Sequence, residues 1–393
     1  MSRTFAVTGG RIFDGTAFVE DRALLVEGGR IVALPAVEQL PAGIDRLDAS
    51  GMIVSPGFID LQVNGGGGVL FNNEPSVAGL RTMCAAHARF GTTALMATLI
   101  TDTPEVGAHA ISAGIEAHRQ GVPGFLGLHF EGPHLSVARK GTHNPALIRP
   151  MTDDDLARLI EAVGKFGEAI TTIAPENVTP EQVARLVEAG YVVSLGHTDT
   201  KAAAVGAYVA AGASMATHLF NAMSQMVNRE AGLVGAALAS GRISCGLIAD
   251  GFHVDPTVMQ VALRAKQGPG RIFLVTDAMS PIGTDITSFE LTGRQVFRKG
   301  GRLTLADGTL AGADVNMLAC VRFVHERLGL PLGEAINMAS LYAAEAVGCA
   351  SKGLLAAGMD ADFLLLRRDL TLAATYIGGA CVHRPTETGT PAP

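Results

Sequence analysis

The sequence predicts an α/β protein: a parallel β-barrel with helices outside it and a small β-domain assembled from both ends of the chain. Eight short apolar runs, each typical of a strand buried on both faces, alternate along residues 53–276 with Ala-rich segments of helical spacing. Eight β/α units over about 220 residues are typical of a TIM-type (β/α)8 barrel. The two ends of the chain alternate apolar and polar residues instead, as strands with one exposed face do.

The eight apolar runs define the predicted barrel strands in chain order. They are Ile53–Val63, Thr92–Ile100, Phe125–Phe130, Ile170–Ala174, Val192–Gly196, Met215–Leu219, Ile243–Ile248 and Ile272–Thr276. The segments between most of them predict helices at Ser76–Phe90, Pro104–Gln120, Asp153–Phe166, Thr179–Glu188, Lys201–Ala211 and Pro256–Lys266. An open doubly wound sheet is the alternative, but the glycine run 65–68 lacks the GxGxxG and GKS/T spacing of a phosphate-binding loop. The barrel is therefore the favoured fold.

The two ends of the chain predict a second unit. We expect residues 1–54 and 350–393 to form a small β-sandwich domain and residues 55–349 to form the barrel. Short strand patterns near 285–313 predict a β-hairpin insertion after barrel strand eight. Beyond the insertion, Val315–Leu328 and Leu332–Val347 have helical spacing. The Thr/Pro-rich tail after Arg384 is expected to fray.

The composition excludes several classes of protein. The net charge is −7 and no basic run occurs, so we expect no nucleic-acid partner. The five cysteines are widely spaced and form no CxxC pair, as in proteins that keep reduced thiols. The N-terminus has no signal-peptide apolar region, and no apolar stretch approaches the ~20 residues of a membrane span. We therefore expect a cytoplasmic protein without a membrane partner.

Polar residues stand where the predicted barrel strands end, which is where barrel enzymes carry their catalytic groups. Glu131 ends strand three, His197 ends strand five and His218 ends strand six. A single histidine at such a position is more often a satisfied polar residue than a ligand. One carboxylate and two imidazoles at the ends of nearby strands are instead typical of a catalytic divalent-metal site whose shell is completed by water.

Asp277, which ends strand eight, is the candidate general base. A carboxylate beside a metal-activated water can take a proton from the water and later deliver it to a leaving nitrogen. A structural carboxylate that bridges two loops is the competing interpretation. The position of Asp277 on the same rim as the three candidate ligands favours the catalytic role.

Motifs spread over almost the whole chain resemble the amidohydrolase superfamily and, within it, the N-acetylglucosamine-6-phosphate deacetylases. They are PGFIDLQVNGGGG (56–68), HFEGPHLS (129–136), KGTHNP (140–145), APE (174–176), GHT (196–198), THLFNAM (217–223), DGFHV (250–254), VTDAM (275–279), LAG (310–312) and GMDADFLLL (358–366). The combination of EGP, KGTHNP and HLFNAM is specific to those deacetylases. The closing Gly-x-Asp-Ala-Asp segment resembles the superfamily only.

The resemblance implies a role for each matching residue. Glu131, His197 and His218 would bind the metal, Asp277 would be general base and then acid, and His143 would contact the acetamido carbonyl or the sugar. The other substrate-binding positions would be Gln62, Asn64, Asn221, Ala222, Arg229, His253, Leu310, Ala311 and Gly312. Of these, the residues from 221 to 253 would hold the sugar phosphate, and those from 310 to 312 would line the sugar pocket. Arg229 would reach the neighbouring active site of a homodimer.

One departure from the superfamily pattern concerns the number of metal ions. Most amidohydrolases carry His-x-His at the end of strand one, where it binds a second ion, and here that position is Gln62-Val63-Asn64. Amides are poor zinc ligands beside imidazoles. Some members of the deacetylase family carry the same form. We therefore predict one divalent ion per subunit, with zinc as the first choice and iron, cobalt or manganese as alternatives.

The expected activity is hydrolysis of the N-acetyl group of N-acetylglucosamine 6-phosphate to glucosamine 6-phosphate and acetate, with an amino-sugar phosphate as the small-molecule partner. The alternative is another amidohydrolase that acts on a different N-acylated sugar phosphate or on a cyclic amide. An inactive barrel that serves as a scaffold or as a sugar-phosphate sensor is a third hypothesis. Such a protein would be expected to lack a ligand or the base, and all four residues are present.

Overall fold

The computed structural model describes residues 4–385 and is built around a parallel eight-stranded sheet that curls into a barrel. Its strands are Phe58–Val63, Thr92–Ile100, Phe125–Glu131, Glu168–Ile173, Val192–Leu195, Met215–Ala216, Ser244–Leu247 and Ile272–Leu274, here called barrel strands one to eight. Each strand pairs in parallel with the next along the chain. The predicted barrel fold is confirmed. Most of the tail predicted to fray, from residue 386 on, lies outside the described residues.

Strands one and eight meet at a seam that brings distant parts of the sequence together. The N–H of Asp277 donates to the carbonyl oxygen of Gln62 at 2.9 Å. Two residues before Gln62, the buried carboxylate of Asp60 accepts a hydrogen bond from the Thr276 hydroxyl at 2.5 Å. Burial raises the pKa of Asp60 to about 7, and the hydrogen bonds from Thr276 oppose that shift. The seam therefore places the end of strand one directly beside Asp277.

Helices cover the outside of the barrel at Val77–Ala88, Pro104–Arg119, Asp153–Ala162, Pro180–Ala189, Ala202–Ala210, Gly232–Ala239 and Pro256–Ala265. Several begin at a side chain that accepts a hydrogen bond from a first-turn N–H, namely Ser76, Thr103, Thr152, Thr179 and Asp255. The helix Gly232–Ala239 was not predicted from the sequence. Six of its residues are buried, so it has no polar face to produce an amphipathic pattern.

The first predicted strand is two strands in the structure. Ile53–Pro56 pairs with Arg11–Phe13 and Phe363–Leu366 in a different sheet, and only the rest of the run enters the barrel. Gly57 separates the two parts. A Cβ atom at Gly57 would lie 2.1 Å from the Thr93 hydroxyl oxygen, so only glycine lets the chain pass strand two this closely. A continuous apolar run does not reveal such a change of sheet.

The chain after strand eight forms the predicted insertion and then more helices. The insertion is an antiparallel sheet of Ser288–Leu291, Arg294–Lys299, Arg302–Thr304 and Leu310–Ala313. The predicted helix Val315–Leu328 forms as Met317–Arg322, continued by a π-helical turn at Phe323–Arg327. The predicted helix Leu332–Val347 is two helices, Leu332–Ala339 and Leu341–Val347, because the backbone of Ser340 leaves helical geometry.

Strands from both termini form two further sheets that share an apolar core. One contains Thr4–Thr8, Leu24–Glu27, Arg30–Ala33 and Asp45–Asp48; the other contains Arg11–Phe13, Phe18–Val19, Ile53–Pro56, Phe363–Leu366, Leu372–Ile377 and Ala380–His383. Their core forms a cluster of its own around Phe5, Leu24 and Phe363. This is the small β-sandwich expected from the sequence, and its domain limits stay a prediction. Among the described residues, no helix has the length and apolar character needed to cross a membrane.

Candidate active site

Three side chains at the carboxyl ends of barrel strands form a compact triangle. The Nε2 atoms of His197 and His218 lie 3.1 and 3.0 Å from Oε1 of Glu131, and 3.0 Å from each other. All three side chains are buried. Burial would raise the pKa of Glu131, but its two imidazole partners lower that pKa well below its usual range. One carboxylate oxygen and two ring nitrogens thus converge on a single point.

The triangle fits a divalent cation. Ligands placed about 2.0–2.1 Å from a tetrahedral zinc ion lie about 3.3 Å from one another, which is close to the observed spacing. The Nδ1–H of His197 donates to the carbonyl oxygen of Arg139 at 2.9 Å. That hydrogen bond fixes the tautomer and leaves the Nε2 lone pair of His197 free for a metal ion. Two imidazoles and one carboxylate are also the donor types that catalytic zinc sites use.

His143 is a second candidate for the third ligand, because its ligand atom and those of Glu131 and His197 lie within 4.8 Å of one another. Its hydrogen bonds argue against that role. Nδ1 of His143 accepts from the backbone N–H of Thr101 at 3.3 Å and lies 2.8 Å from the Thr101 hydroxyl. A nitrogen that accepts an N–H carries no proton, so the proton is on Nε2. His143 can then donate a hydrogen bond from Nε2, and the geometry favours His218 as the ligand.

The two amides that end strand one bind carboxylates. Nδ2 of Asn64 donates to Oδ1 of Asp277 at 2.6 Å. Nε2 of Gln62 donates to the same oxygen at 3.3 Å and to Oε1 of Glu131 at 3.1 Å. Because Nδ2 of Asn64 is the atom that donates, the other amide atom is the oxygen, Oδ1. That oxygen is buried and has no hydrogen-bond partner among the described residues. The amides therefore hold the candidate base through its Oδ1 atom.

Asp277 has the environment of a proton acceptor near neutral pH. Burial and the negative charge of Glu131 raise the pKa of Asp277 to about 6, whereas His218 and His253 lower it. Oδ1 is occupied by the two amides, and Oδ2 accepts no hydrogen bond from the described residues. Because Asp277 lines the cavity above the triangle, Oδ2 is the oxygen available to a water molecule or a substrate.

The backbone is strained at the points where these side chains leave the sheet. His197, His218 and Asp277 have φ angles of 46°, 30° and 52°, in the left-handed region that residues other than glycine seldom adopt. Such strain persists where the surrounding structure imposes it, and it is common at active sites. His197, His218 and Asp277 all line the cavity above the triangle, so the strained positions lie at the candidate site.

A cavity of about 260 Å³ opens above the triangle. It is lined by many of the residues predicted from the sequence: Asn64, Glu131, His143, His197, His218, Asn221, Ala222, His253, Asp277, Leu310 and Gly312. A larger cleft of about 690 Å³ lies between the N-terminal strands and Leu332 and contains none of them. The chemistry is concentrated in the smaller cavity.

Three predicted residues do not line the cavity. Gln62 is buried behind it and bonded to the two carboxylates. The side chain of Ala311 packs into the core of the insertion, between two neighbours that do face the cavity. Arg229 is exposed and lies outside the cavity of its own subunit.

Sequence reasoning missed the residues that orient the predicted ones. Thr101, which fixes the proton on His143, directly follows strand two, and an inspection of every strand end would have found it. Arg294 comes from the insertion and donates to the carbonyl oxygen of Thr142, on the loop that carries His143. No pattern in the sequence connects residue 294 with residue 142.

Comparison with protein families gives two matches that together cover most of the chain. The amidohydrolase family matches residues 53–382, and the NagA composite domain matches residues 4–54. An N-acetylgalactosamine-6-phosphate deacetylase of Shewanella sp. (strain ANA-3) is 45% identical over 335 residues, which are 85% of this chain and 84% of that protein. The N-acetylglucosamine-6-phosphate deacetylase of Homo sapiens is 36% identical over 97% of this chain and 96% of its own length.

Solved structures agree with these similarities. N-acetylglucosamine-6-phosphate deacetylase from Pasteurella multocida superposes with a TM-score of 0.92 at 34% identity, covering 96% of this chain and 98% of that one. A variant of the Mycobacterium smegmatis deacetylase in complex with N-acetyl-D-glucosamine 6-phosphate has a TM-score of 0.89 at 32% identity, covering 97% and 99%. A D-hydantoinase, at 15% identity and a TM-score of 0.64, shares the fold alone.

Proposed function

Because the chain belongs to the amidohydrolase family, we propose that it hydrolyses the N-acetyl group of N-acetylglucosamine 6-phosphate, giving glucosamine 6-phosphate and acetate. The observation that carries this proposal is the position of Asp277 on the wall of the cavity above the triangle of Glu131, His197 and His218. Metal ligands and a carboxylate base around one cavity are what amide hydrolysis by water requires. Relatives with 35% and 36% identity are named N-acetylglucosamine-6-phosphate deacetylases, and the relative with 45% identity is named for the galactosamine isomer.

Glu131, His197 and His218 would hold one divalent ion per subunit. A bound ion supplies Lewis acidity to the amide carbonyl and makes a water molecule more acidic. Two imidazole nitrogens and one carboxylate oxygen favour zinc, while iron, cobalt and manganese suit the same donors. Gln62 and Asn64 present N–H groups to carboxylates, which supports a single ion in place of two.

Asp277 would carry the proton through both halves of the reaction. Its free oxygen, Oδ2, takes a proton from the attacking water, and the protonated carboxyl later delivers it to the departing amine nitrogen. Asn64 and Gln62 keep Oδ1 occupied during both transfers, so the same oxygen serves as acceptor and donor. His143 would donate its Nε2–H to the acetamido carbonyl oxygen, where negative charge develops as the water adds.

The far end of the cavity would hold the phosphate and the sugar. His253 and the backbone N–H of Ala222, next to Asn221, offer donors there, and the segment 310–312 would contact the sugar ring. Arg229 is exposed on the loop after strand six, outside its own cavity, which supports its proposed reach into the active site of the second subunit of a homodimer. The free cysteines support the proposed cytoplasmic location.

N-acetylgalactosamine 6-phosphate is the second candidate substrate. The relative with 45% identity is named for that sugar, which differs from N-acetylglucosamine only in the orientation of the 4-hydroxyl group. The acetamido and phosphate groups are the same in both sugars, so the metal triangle, Asp277 and the phosphate end would serve either one. The choice between them depends on contacts to the 4-hydroxyl.

Acetate release across matched sugars tests the proposal. The 6-phosphates of N-acetylglucosamine, N-acetylgalactosamine and N-acetylmannosamine are compared with the same sugars without phosphate. We expect release from at least one phosphorylated sugar and a strong preference for it over its unphosphorylated form. Equal cleavage with and without phosphate would contradict the roles of His253 and Arg229. Release from none of the six sugars would contradict the proposed function itself.

A further inference from the structure

Asp250 is a buried carboxylate that the reaction proposed above does not use. It follows strand seven, and only 4% of its side chain is exposed. Its Oδ1 accepts hydrogen bonds from the backbone N–H groups of Phe252 and His253, at 2.8 and 2.9 Å. Its Oδ2 accepts one from Nδ1 of His253 at 2.6 Å. Among the described residues, the donors to the Asp250 carboxylate are Phe252 and His253 alone.

These bonds determine which atom of His253 faces the cavity. With the Nδ1–H committed to Asp250, the ring nitrogen left for a ligand is Nε2. Burial would raise the pKa of Asp250, but the hydrogen bonds from His253 and Phe252 hold it below its usual value. Asp250 is therefore an anion, and its charge lies at the Nδ1 edge of the imidazole.

The charge of Asp250 matters in addition to its hydrogen bonds with the backbone of the loop. An asparagine could accept both backbone N–H groups through its single oxygen, as Asx turns do. Its NH2 group would then face Nδ1 of His253 and make that nitrogen an acceptor. The ring would still present an Nε2–H to the cavity, but without a partner that compensates a positive charge. Only the carboxylate both accepts the Nδ1–H of His253 and places a negative charge beside it.

We propose that Asp250 is a positioning residue that holds His253 with its Nε2 towards the substrate phosphate and supplies a negative charge beside Nδ1 when the ring binds that phosphate. The inference rests on the proposed function, which places the phosphate of the substrate at His253. A hydrogen bond to an anionic phosphate oxygen is charge-assisted and about twice as strong as one between neutral groups, so the orientation of the donor matters for phosphate binding. Asp250 thus acts on recognition of the phosphate and not on cleavage of the amide.

Three variants separate this role from a structural one. Asp250→Asn keeps the backbone hydrogen bonds and removes the charge, and His253→Asn removes the ring. Asp255→Asn is the matched control, because Asp255 is an exposed carboxylate five residues along that caps the next helix without contacting His253. Thermal unfolding checks that all three fold. Kinetics are measured with the phosphorylated and the unphosphorylated sugar, and inorganic phosphate is titrated by calorimetry and as a competitive inhibitor.

For Asp250→Asn we expect a roughly tenfold rise in KM for the phosphorylated sugar and the same rise in the phosphate dissociation constant. kcat, and kcat/KM for the unphosphorylated sugar, should change by less than about twofold. His253→Asn should weaken phosphate binding at least as much, and adding Asp250→Asn to it should have no further effect. Asp255→Asn should leave all of these values unchanged.

The possible failures are distinct. If Asp250→Asn binds phosphate as tightly as the wild type, or lowers kcat with both sugars alike, the role assigned to Asp250 is wrong. If the wild type binds no phosphate, the phosphate site at His253 is wrong as well. If phosphate binds and depends on Asp250 but no sugar releases acetate, the positioning role stands and the proposed hydrolysis fails.

Discussion

The carboxyl ends of the barrel strands form two groups of opposite chemistry around the cavity, here called the first rim and the second rim. On one rim, Glu131, His197 and His218 direct an oxygen and two ring nitrogens at one point. On the other rim, Gln62 and Asn64 direct amide N–H groups at carboxylates. Both sets of residues stand at the carboxyl ends of strands. The first rim presents lone pairs that can bind a cation, and the second rim presents hydrogen-bond donors.

The difference explains how one carboxylate can serve as a ligand and another as a base. Glu131 faces imidazoles that lower its pKa, so it stays an anion suited to a cation. Asp277 is held by neutral amides, which compensate less charge, and burial together with Glu131 raises its pKa to about 6. Gln62 donates to both carboxylates and links the two rims. Amides on strand one thus leave Asp277 free to exchange protons.

The largest effect should come from removing a ligand on the first rim. His218→Ala should lose the bound ion and reduce turnover about 10⁴-fold or more, because amide hydrolysis would lose its Lewis acid. Metal analysis should give one divalent ion per subunit in the wild type and none in this variant. His109→Ala removes an exposed histidine and should change neither value. Two tightly held ions in the wild type would contradict the contrast between the rims.

Removing the base should be nearly as damaging but should spare the metal. Asp277→Asn should lower kcat about 10³-fold, since an amide cannot accept the proton of water. Its metal content should match the wild type. Asp285→Asn, which neutralises an exposed carboxylate eight residues along, is the control for the change in charge. Near-normal turnover by Asp277→Asn would show that another group moves the proton.

The seam below the second rim predicts a pH dependence of stability. The pKa of Asp60 is about 7 in the folded state and near 3.8 when unfolded, so the folded state retains a proton that the unfolded state has lost. The contribution of Asp60 to the free energy of unfolding is at its maximum below pH 3.8, where the carboxyl is protonated in both states. This contribution is lost as the pH rises from 3.8 to about 7. Between pH 5 and pH 8 the free energy of unfolding should fall by about 3 kcal/mol through this group.

Denaturant unfolding of the wild type and of Asp60→Asn at each pH measures that effect. Asparagine does not titrate, so the difference between the two proteins should change with pH by the amount assigned to Asp60. Parallel curves at all pH values would mean that Asp60 is ionised throughout, despite its burial beside Thr276.

The smallest effect should come from weakening the second rim alone. Asn64→Ala removes the 2.6 Å hydrogen bond to Asp277 but leaves the one from Gln62. We expect kcat to fall about tenfold with unchanged metal content, as for the loss of one hydrogen bond to a charged group. Asn73→Ala, an exposed asparagine on the following loop, is the control. Loss of the metal from Asn64→Ala would mean that the two rims do not act separately.

Much of the site could be predicted because a parallel barrel gathers the ends of its strands. Glu131, His197 and Asp277 stand directly after apolar runs and His218 stands near the end of one, so their shared location follows once the runs are taken as barrel strands. The helix Gly232–Ala239 was not predicted, because it is apolar on all sides and therefore has no amphipathic pattern.

The sequence by itself determined the barrel, the terminal β-sandwich and the set of chemical groups on the rim, because these depend on local periodicity and on residue type. Only the tertiary structure decided what each group does. Gln62 and Asp277 are 215 residues apart, and the seam between strands one and eight makes them neighbours. Thr101 donates to Nδ1 of His143, and Asp250 accepts a hydrogen bond from Nδ1 of His253. Hydrogen-bond partners depend on register and barrel closure, which local patterns do not encode.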